Sequence, residues 1–159
     1  MKPTVPIVAL SLALAAAGLT SPVFAADDHK MLRPDDLKWS PAPPILPKGA
    51  QVSVLHGDPT KAGFFAMRFK FPAGYLVPPH THPVNEVVTV ITGNFKLGMG
   101  PDAEKSKAQD MPAGSFFEFA PGTPHFAYTD EETVVQITTN GPWGLTYVNA
   151  KDDPRQKTQ

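Results

Sequence analysis

Between Phe64 and Phe71 the chain reads FFAMRFKF, and its residues alternate. Phe65, Met67, Phe69 and Phe71 fall on one face of an extended strand, and Ala66, Arg68 and Lys70 fall on the other, with Phe64 out of pattern. A period of two lets a strand bury one face and wet the other; a helix cannot sort these residues that way. The same grammar continues along the chain. The runs QVSVLH, EVVTVITG, FKLGMG, SFFEFA, HFAYT, TVVQITT and LTYVNA are separated by turn signals such as HGDPT and TGN. Short runs of this kind predict an all-β sandwich or barrel of about nine or ten strands, with no substantial helix.

The N-terminal part reads differently. Lys2 precedes an apolar stretch from Ile7 to Leu19, and Val23 and Ala25 stand at the small-residue positions of a cleavage site. Residues 1–25 therefore read as a signal peptide, cut after Ala25, and the protein is expected to be periplasmic or secreted. Residues 26–50 carry Pro41, Pro43, Pro44 and Pro47, which exclude a regular helix. They read as a proline-rich extended arm whose Trp39, Ile45 and Leu46 lie against the domain. Residues 51–150 form the β-barrel domain, and residues 151–159 a polar C-terminal tail.

Composition narrows the chemistry. There is no cysteine, so thiolate metal sites, thiol nucleophiles and disulfides are all excluded. Once Lys2 is set aside with the signal, thirteen basic side chains face fifteen acidic ones. No basic stripe suits nucleic acid, and no later apolar run reaches membrane-spanning length. Phosphate-loop, dinucleotide and serine-hydrolase signatures are absent.

The stretch GYLVPPHTHPVNEVVTVITG, residues 74–93, holds His80, His82 and Glu86. Two histidines separated by one residue project from one face of a strand. The turn at Pro83 brings the carboxylate of Glu86 back toward them, and Pro78, Pro79 and Pro83 limit the entropy lost when the loop orders. A third nitrogen is available at His125, after the turn residues Pro121, Gly122 and Pro124. Imidazole and carboxylate together suit one divalent transition ion: Fe, Mn, Ni, Cu or Zn. Four such donors leave open positions on an octahedral ion.

Other residues are weaker candidates. Phe126 and Tyr128 neighbour His125 and are expected to line a substrate pocket; Tyr75 and Trp143 are lesser candidates. Glu118, set among phenylalanines, is a candidate acid or base, with an outward-facing strand position as the alternative. His56 sits in a turn. His29 would become the third residue, suited to copper or nickel, were the signal cut after Ala26.

Residues 74–93 match the first signature motif of the cupin superfamily, G-x5-H-x-H-x3-E-x6-G, at Gly74, His80, His82, Glu86 and Gly93. The second motif, G-x5-P-x-G-x2-H-x3-N, is matched at Gly114, Gly122 and His125; Ala120 and Thr129 replace its proline and asparagine. The chain thus resembles a single-domain exported bacterial cupin. Through its tail NGPWGLTYVN it is distantly similar to cupins of the acetylacetone dioxygenase type. The resemblance implies a jelly-roll β-barrel with a metal held by His80, His82, Glu86 and His125. It also implies a dioxygenase-type oxidoreductase acting on a diketone, enol or phenolic molecule, with Glu86 able to serve as catalytic base. A cupin isomerase, epimerase or decarboxylase, or a non-catalytic small-molecule or metal-binding protein, are the alternatives. The expected partner is a small molecule. A homodimer is an option, because the proline-rich arm could swap onto a neighbouring copy.

Overall fold

The computed structural model describes residues 29–156. The chain divides into two units, Met1–Met31 and Leu32–Gln159. Of the first, residues 29–31 are described; they are exposed and carry no regular structure. The export segment expected at residues 1–25 lies outside the described residues.

The second unit is built from antiparallel strands, eleven among the described residues. They are β1 (Ser40–Pro41), β2 (Gln51–His56), β3 (Gly63–Phe71), β4 (Leu76–Thr81), β5 (Glu86–Thr92) and β6 (Asn94–Met99), followed by β7 (Gln109–Pro112), β8 (Phe116–Phe119), β9 (His125–Tyr128), β10 (Thr133–Gly141) and β11 (Thr146–Tyr147). One sheet has the order β1-β2-β3-β10-β5-β8, and the other β11-β4-β9-β6-β7. Only four short 3-10 turns accompany them among the described residues. The two sheets pack face to face as a jelly-roll barrel.

The alternation in β3 sets the core. Phe65, Met67, Phe69 and Phe71 are buried, at 0–4 % exposure, while Phe64 sits on the solvent face at 55 %. Complete burial of each such side chain stabilises by about 1.5–3 kcal/mol relative to exposure. Their β10 partners continue the layer: Val135 pairs with Phe69 and Ile137 with Met67, and both are buried. From the second sheet, Val77, Phe95, Leu97 and Ala127 close the core.

Two segments differ from the sequence reading. The arm is not a simple extended lead-in. Ser40 and Pro41 pair with Val52 and Gln51, and the Ala42 N–H donates to the Ala50 carbonyl at 2.9 Å, so the proline-rich stretch folds back as a hairpin. Its Leu46 is driven into the barrel at 6 % exposure. The segment Gln109–Pro112, which lies outside the runs read as strands from the sequence, also forms one, because β7 pairs with β6 through Phe95–Met111 and Leu97–Gln109. The polar tail is tied down as well: Asp153 is buried and holds Arg155 at 2.6 Å.

Candidate metal centre

His80 and His125 face each other directly across the β4–β9 ladder. Pro78 and Pro79 withhold backbone donors within β4, and the register shifts between Val77 and His80. The shift lets Val77 and His80, three residues apart, both point inward and line one cavity. His82 lies just beyond the end of β4, and Glu86 opens β5 on the opposite sheet. Four side chains from both sheets and a connecting loop therefore meet between the layers. All four are buried, at 3–7 % exposure.

Backbone carbonyls orient the three imidazoles. His80 Nδ1 donates to the Pro78 carbonyl at 2.7 Å, His82 Nδ1 to that of Gly144 at 2.7 Å, and His125 Nδ1 to that of Thr123 at 3.0 Å. A carbonyl oxygen only accepts, so each Nδ1 must carry a proton. In the neutral rings each Nε2 is then a free lone pair. The three histidines offer ligand atoms that all lie within 4.8 Å of one another, a group able to hold a metal ion.

The carboxylate completes the set. Glu86 Oε2 lies 2.9 Å from His125 Nε2, and Glu86 Oε1 lies 3.2 Å from His82 Nε2. These are close approaches, yet His82 Nε2 and Glu86 Oε2 are buried without a hydrogen-bond partner. Facing lone pairs at such distances repel unless a proton or a cation sits between them. A divalent ion bound by imidazole nitrogen and carboxylate oxygen resolves the conflict, and the donor set fits one.

The electrostatics agree. Burial, reinforced by the neighbouring His125 and His82, depresses the His80 pKa to about 3, so its ring stays neutral and available. Burial also pushes His82 down, but the Glu86 carboxylate and the Gly144 carbonyl more than offset this and lift it above the ordinary histidine value. Burial opposes the charge on Glu86, and the flanking His125 and His82 outweigh it and hold the carboxyl ionised, well below the usual carboxylate range.

The cavity these groups border is small, about 30 Å³, and otherwise lined almost wholly by apolar side chains such as Phe69, Val88, Phe117, Ile137 and Leu145. That is room for about one ion or water. Leu46 from the arm hairpin and Trp143 and Leu145 from the segment after β10 also border it. Tyr147 Oη donates to the Ile45 carbonyl at 2.7 Å and Tyr75 Oη to that of Pro47, fixing the hairpin in place.

The pocket residues expected from sequence are corrected by the alternation of β9. With His125 and Ala127 facing inward, Phe126 and Tyr128 must face outward. Phe126 is fully buried there, over its cross-strand partner Gly98. Tyr128 carries the Lys105 ammonium 4.6 Å above its ring. Glu118 is exposed and accepts from Asn85 Nδ2 at 2.9 Å. None of the three borders the cavity. Conversely Trp143, a lesser candidate, does border it, with its ring 5.6 Å from that of His82. The Gly144 carbonyl has no sequence signal, because any residue except for its conformation would offer the same oxygen.

The family model described as a domain of unknown function, DUF4437, matches residues 21–146. Among curated proteins, germin-like protein subfamily 2 member 1 of Arabidopsis thaliana is 38% identical over 82 residues, covering 51% of this chain and 37% of that protein. Germin-like protein 5-1 of Oryza sativa subsp. japonica is 36% identical over 90 residues, covering 56% and 40%. The chain thus spans well under half the length of these relatives. Among solved structures, the polyketide cyclase RemF of Streptomyces resistomycificus superimposes with TM-score 0.67 at 19% identity, covering 82% of this chain and 92% of that one. An acetylacetone dioxygenase from Acinetobacter johnsonii superimposes with TM-score 0.57 at 17% identity, covering 81% and 83%. At such identities the structural likeness speaks for the fold. Together with the motifs and the barrel, these matches establish that the chain belongs to the DUF4437 family of the cupin superfamily.

Proposed function

We propose that this protein is a metal-dependent cupin of the dioxygenase type, acting on a small oxygenated organic molecule such as a diketone, enol or phenol. The observation that carries the proposal is the convergence of three carbonyl-anchored imidazoles and an ionised carboxylate, with orphaned lone pairs, in an apolar enclosure. His80, His82, His125 and Glu86 would hold one divalent transition ion, supplying Lewis acidity and open positions for substrate and dioxygen. The chain's own groups then do three things. The carbonyls of Pro78, Gly144 and Thr123 keep the imidazoles aimed inward without reorganisation. The apolar walls exclude water and strengthen every charge interaction inside. Among the described residues Glu86 is the only carboxylate bordering the cavity, and so the group placed to take a proton from an acidic C–H or enol O–H. The barrel likeness to an acetylacetone dioxygenase supports the same class.

A second reading rests on the cavity volume. About 30 Å³ holds an ion but no organic substrate, which favours a protein that captures a metal without chemistry. Oxygen uptake separates the two. Protein loaded in turn with Fe, Mn, Ni, Cu and Zn is given a panel of diketones and flavonols in an oxygen-electrode cell. The proposal expects substrate-dependent oxygen uptake with at least one ion, abolished in Glu86→Ala. Tight metal retention with every compound recovered unchanged would replace it by the second reading.

A further inference from the structure

The cavity at the histidines has room for about one ion, so anything larger enters only if a wall moves, and the walls are not held equally. Most of them come from β3, β4, β5, β6, β9 and β10, each bonded to a strand on both sides, and Phe117 of β8 is paired with Val88. Three wall residues off the strands are held by the surrounding fold. The His82 carbonyl accepts from the Gly122 N–H at 2.9 Å, the Trp143 N–H donates to the Pro59 carbonyl at 2.7 Å, and Leu145 adjoins Thr146, which pairs with Thr81. Leu46 is different. It sits in the arm hairpin, where Pro43, Pro44 and Pro47 have no N–H to give. Its own N–H donates to the Pro43 carbonyl at 2.9 Å, inside the hairpin. Among the described residues, residues 43–49 are hydrogen-bonded to the rest of the protein through two side chains, Tyr75 and Tyr147, whose hydroxyls donate to the carbonyls of Pro47 and Ile45. Of residues 43–49, all of them described, Leu46 alone is buried. It borders the metal cavity and also a surface cleft of about 300 Å³ formed within the hairpin.

We infer that residues 43–49 are a flap over the metal centre, with Leu46 as its plug and the hydroxyls of Tyr75 and Tyr147 as its latches. The hairpin runs from β1 and β2, at one edge of the first sheet, to Tyr147 of β11 and Tyr75 just before β4, at one edge of the second. It therefore closes the side of the barrel where the two sheets are not joined by a ladder. A segment tied by few hydrogen bonds and one buried apolar side chain opens at lower free energy than the strand core. Three prolines restrict its backbone, so it lifts as one piece about the Ala42–Ala50 hydrogen bond at its base. Lifting withdraws Leu46 and joins the buried cavity to the cleft, which is how a barrel with room for one ion admits an organic molecule to its histidines. The inference deepens the proposed function and rests on it for what the path serves. The flap itself rests on the bonding of the hairpin, so the two can fail separately.

The chain has no cysteine, so Leu46→Cys carries a single thiol whose alkylation by iodoacetamide reports the opening. Val88→Cys, on the same cavity wall but within β5, is the reference. Neither measurement needs a metal or a substrate. The expected result is labelling of Leu46→Cys about tenfold or more faster than Val88→Cys in native buffer. Low urea leaves the first rate nearly flat, because lifting the flap exposes little surface, and raises the second steeply, because that thiol is reached by unfolding. Adding Tyr75→Phe or Tyr147→Phe to Leu46→Cys removes one latch and speeds labelling about three- to tenfold, still with little response to urea. Equal labelling of the two thiols, a Leu46→Cys rate that climbs with urea as unfolding does, or indifference to both latch substitutions would each overturn the inference. Should a cysteine variant fail to fold, amide exchange on the unaltered chain decides. The Leu46 N–H should exchange through an opening insensitive to low urea, and the amides paired between β3 and β10 through unfolding. Exchange of all of them by one urea-dependent opening would equally overturn it.

Discussion

His82 donates its Nδ1 proton to the carbonyl of Gly144, a residue 62 positions away, at 2.7 Å. The bond ties the orientation of one imidazole to the segment that follows β10. That segment crosses the Asp58–Lys61 turn at Gly141, where an added Cβ would lie 2.2 Å from the Lys61 carbonyl oxygen. A Cβ on Gly144 would meet nothing within 4 Å. Gly141→Ala must therefore displace the segment and loosen His82, whereas Gly144→Ala should not. The expected outcome is a drop in metal affinity of roughly 10- to 100-fold in Gly141→Ala, the usual cost of losing an outer partner of a ligand. Gly144→Ala should stay near the unaltered protein in the same competition titration against a chromophoric chelator. Equal affinities would mean that the carbonyl does not hold the ring.

Acid should release the metal through His82. In the metal-free site burial lowers its pKa, but the Glu86 carboxylate outweighs burial and the net shift is upward. A proton on His82 then competes with the ion as pH falls below that raised value. His80 does not compete until about pH 3, and Glu86 is held ionised to lower pH still than an ordinary carboxylate. Metal binding should therefore displace at least one proton, and affinity should fall about tenfold or more per pH unit on acidification below that raised value. Affinities measured at several pH values give the slope. A flat profile, or affinity rising with acid, would contradict this assignment of charge.

Gly98 supports the barrel and not the centre. A Cβ there would lie 2.1 Å from the ring of Phe126, which is fully buried on the outer face of its sheet. Gly98→Ala overpacks that face and should cost about 1–3 kcal/mol in urea unfolding. Metal content should stay at the unaltered level, because Phe126 faces away from the cavity. Loss of metal at unchanged stability would reverse the assignment of Phe126.

Much of this was legible in the sequence, for reasons tied to particular residues. The alternation in FFAMRFKF is a direct consequence of strand geometry, and β3 buries the four residues it singles out. The convergence of His80, His82, Glu86 and His125 is encoded by spacing and turns within two short stretches. Thr129, which departs from the second cupin motif, does useful work: it is buried, and its Oγ1 donates to the Pro72 carbonyl at 2.7 Å. What was not legible depends on long-range packing. Whether Phe126 faces in or out is fixed by the parity of β9, set once His125 points inward. Leu46 reaches the cavity only because the arm folds back as a hairpin. The Gly144 carbonyl is a backbone atom, and no side-chain pattern announces it.

The central claim is that four side chains hold one divalent ion between the sheets. Elemental analysis of protein refolded in a defined set of divalent metals, beside His125→Ala prepared identically, tests it most directly. The account predicts one equivalent of a transition ion per chain in the unaltered protein, and none retained by a His125→Ala barrel whose circular dichroism is unchanged. Full occupancy in His125→Ala, or no retention of any ion by the unaltered protein, would contradict it.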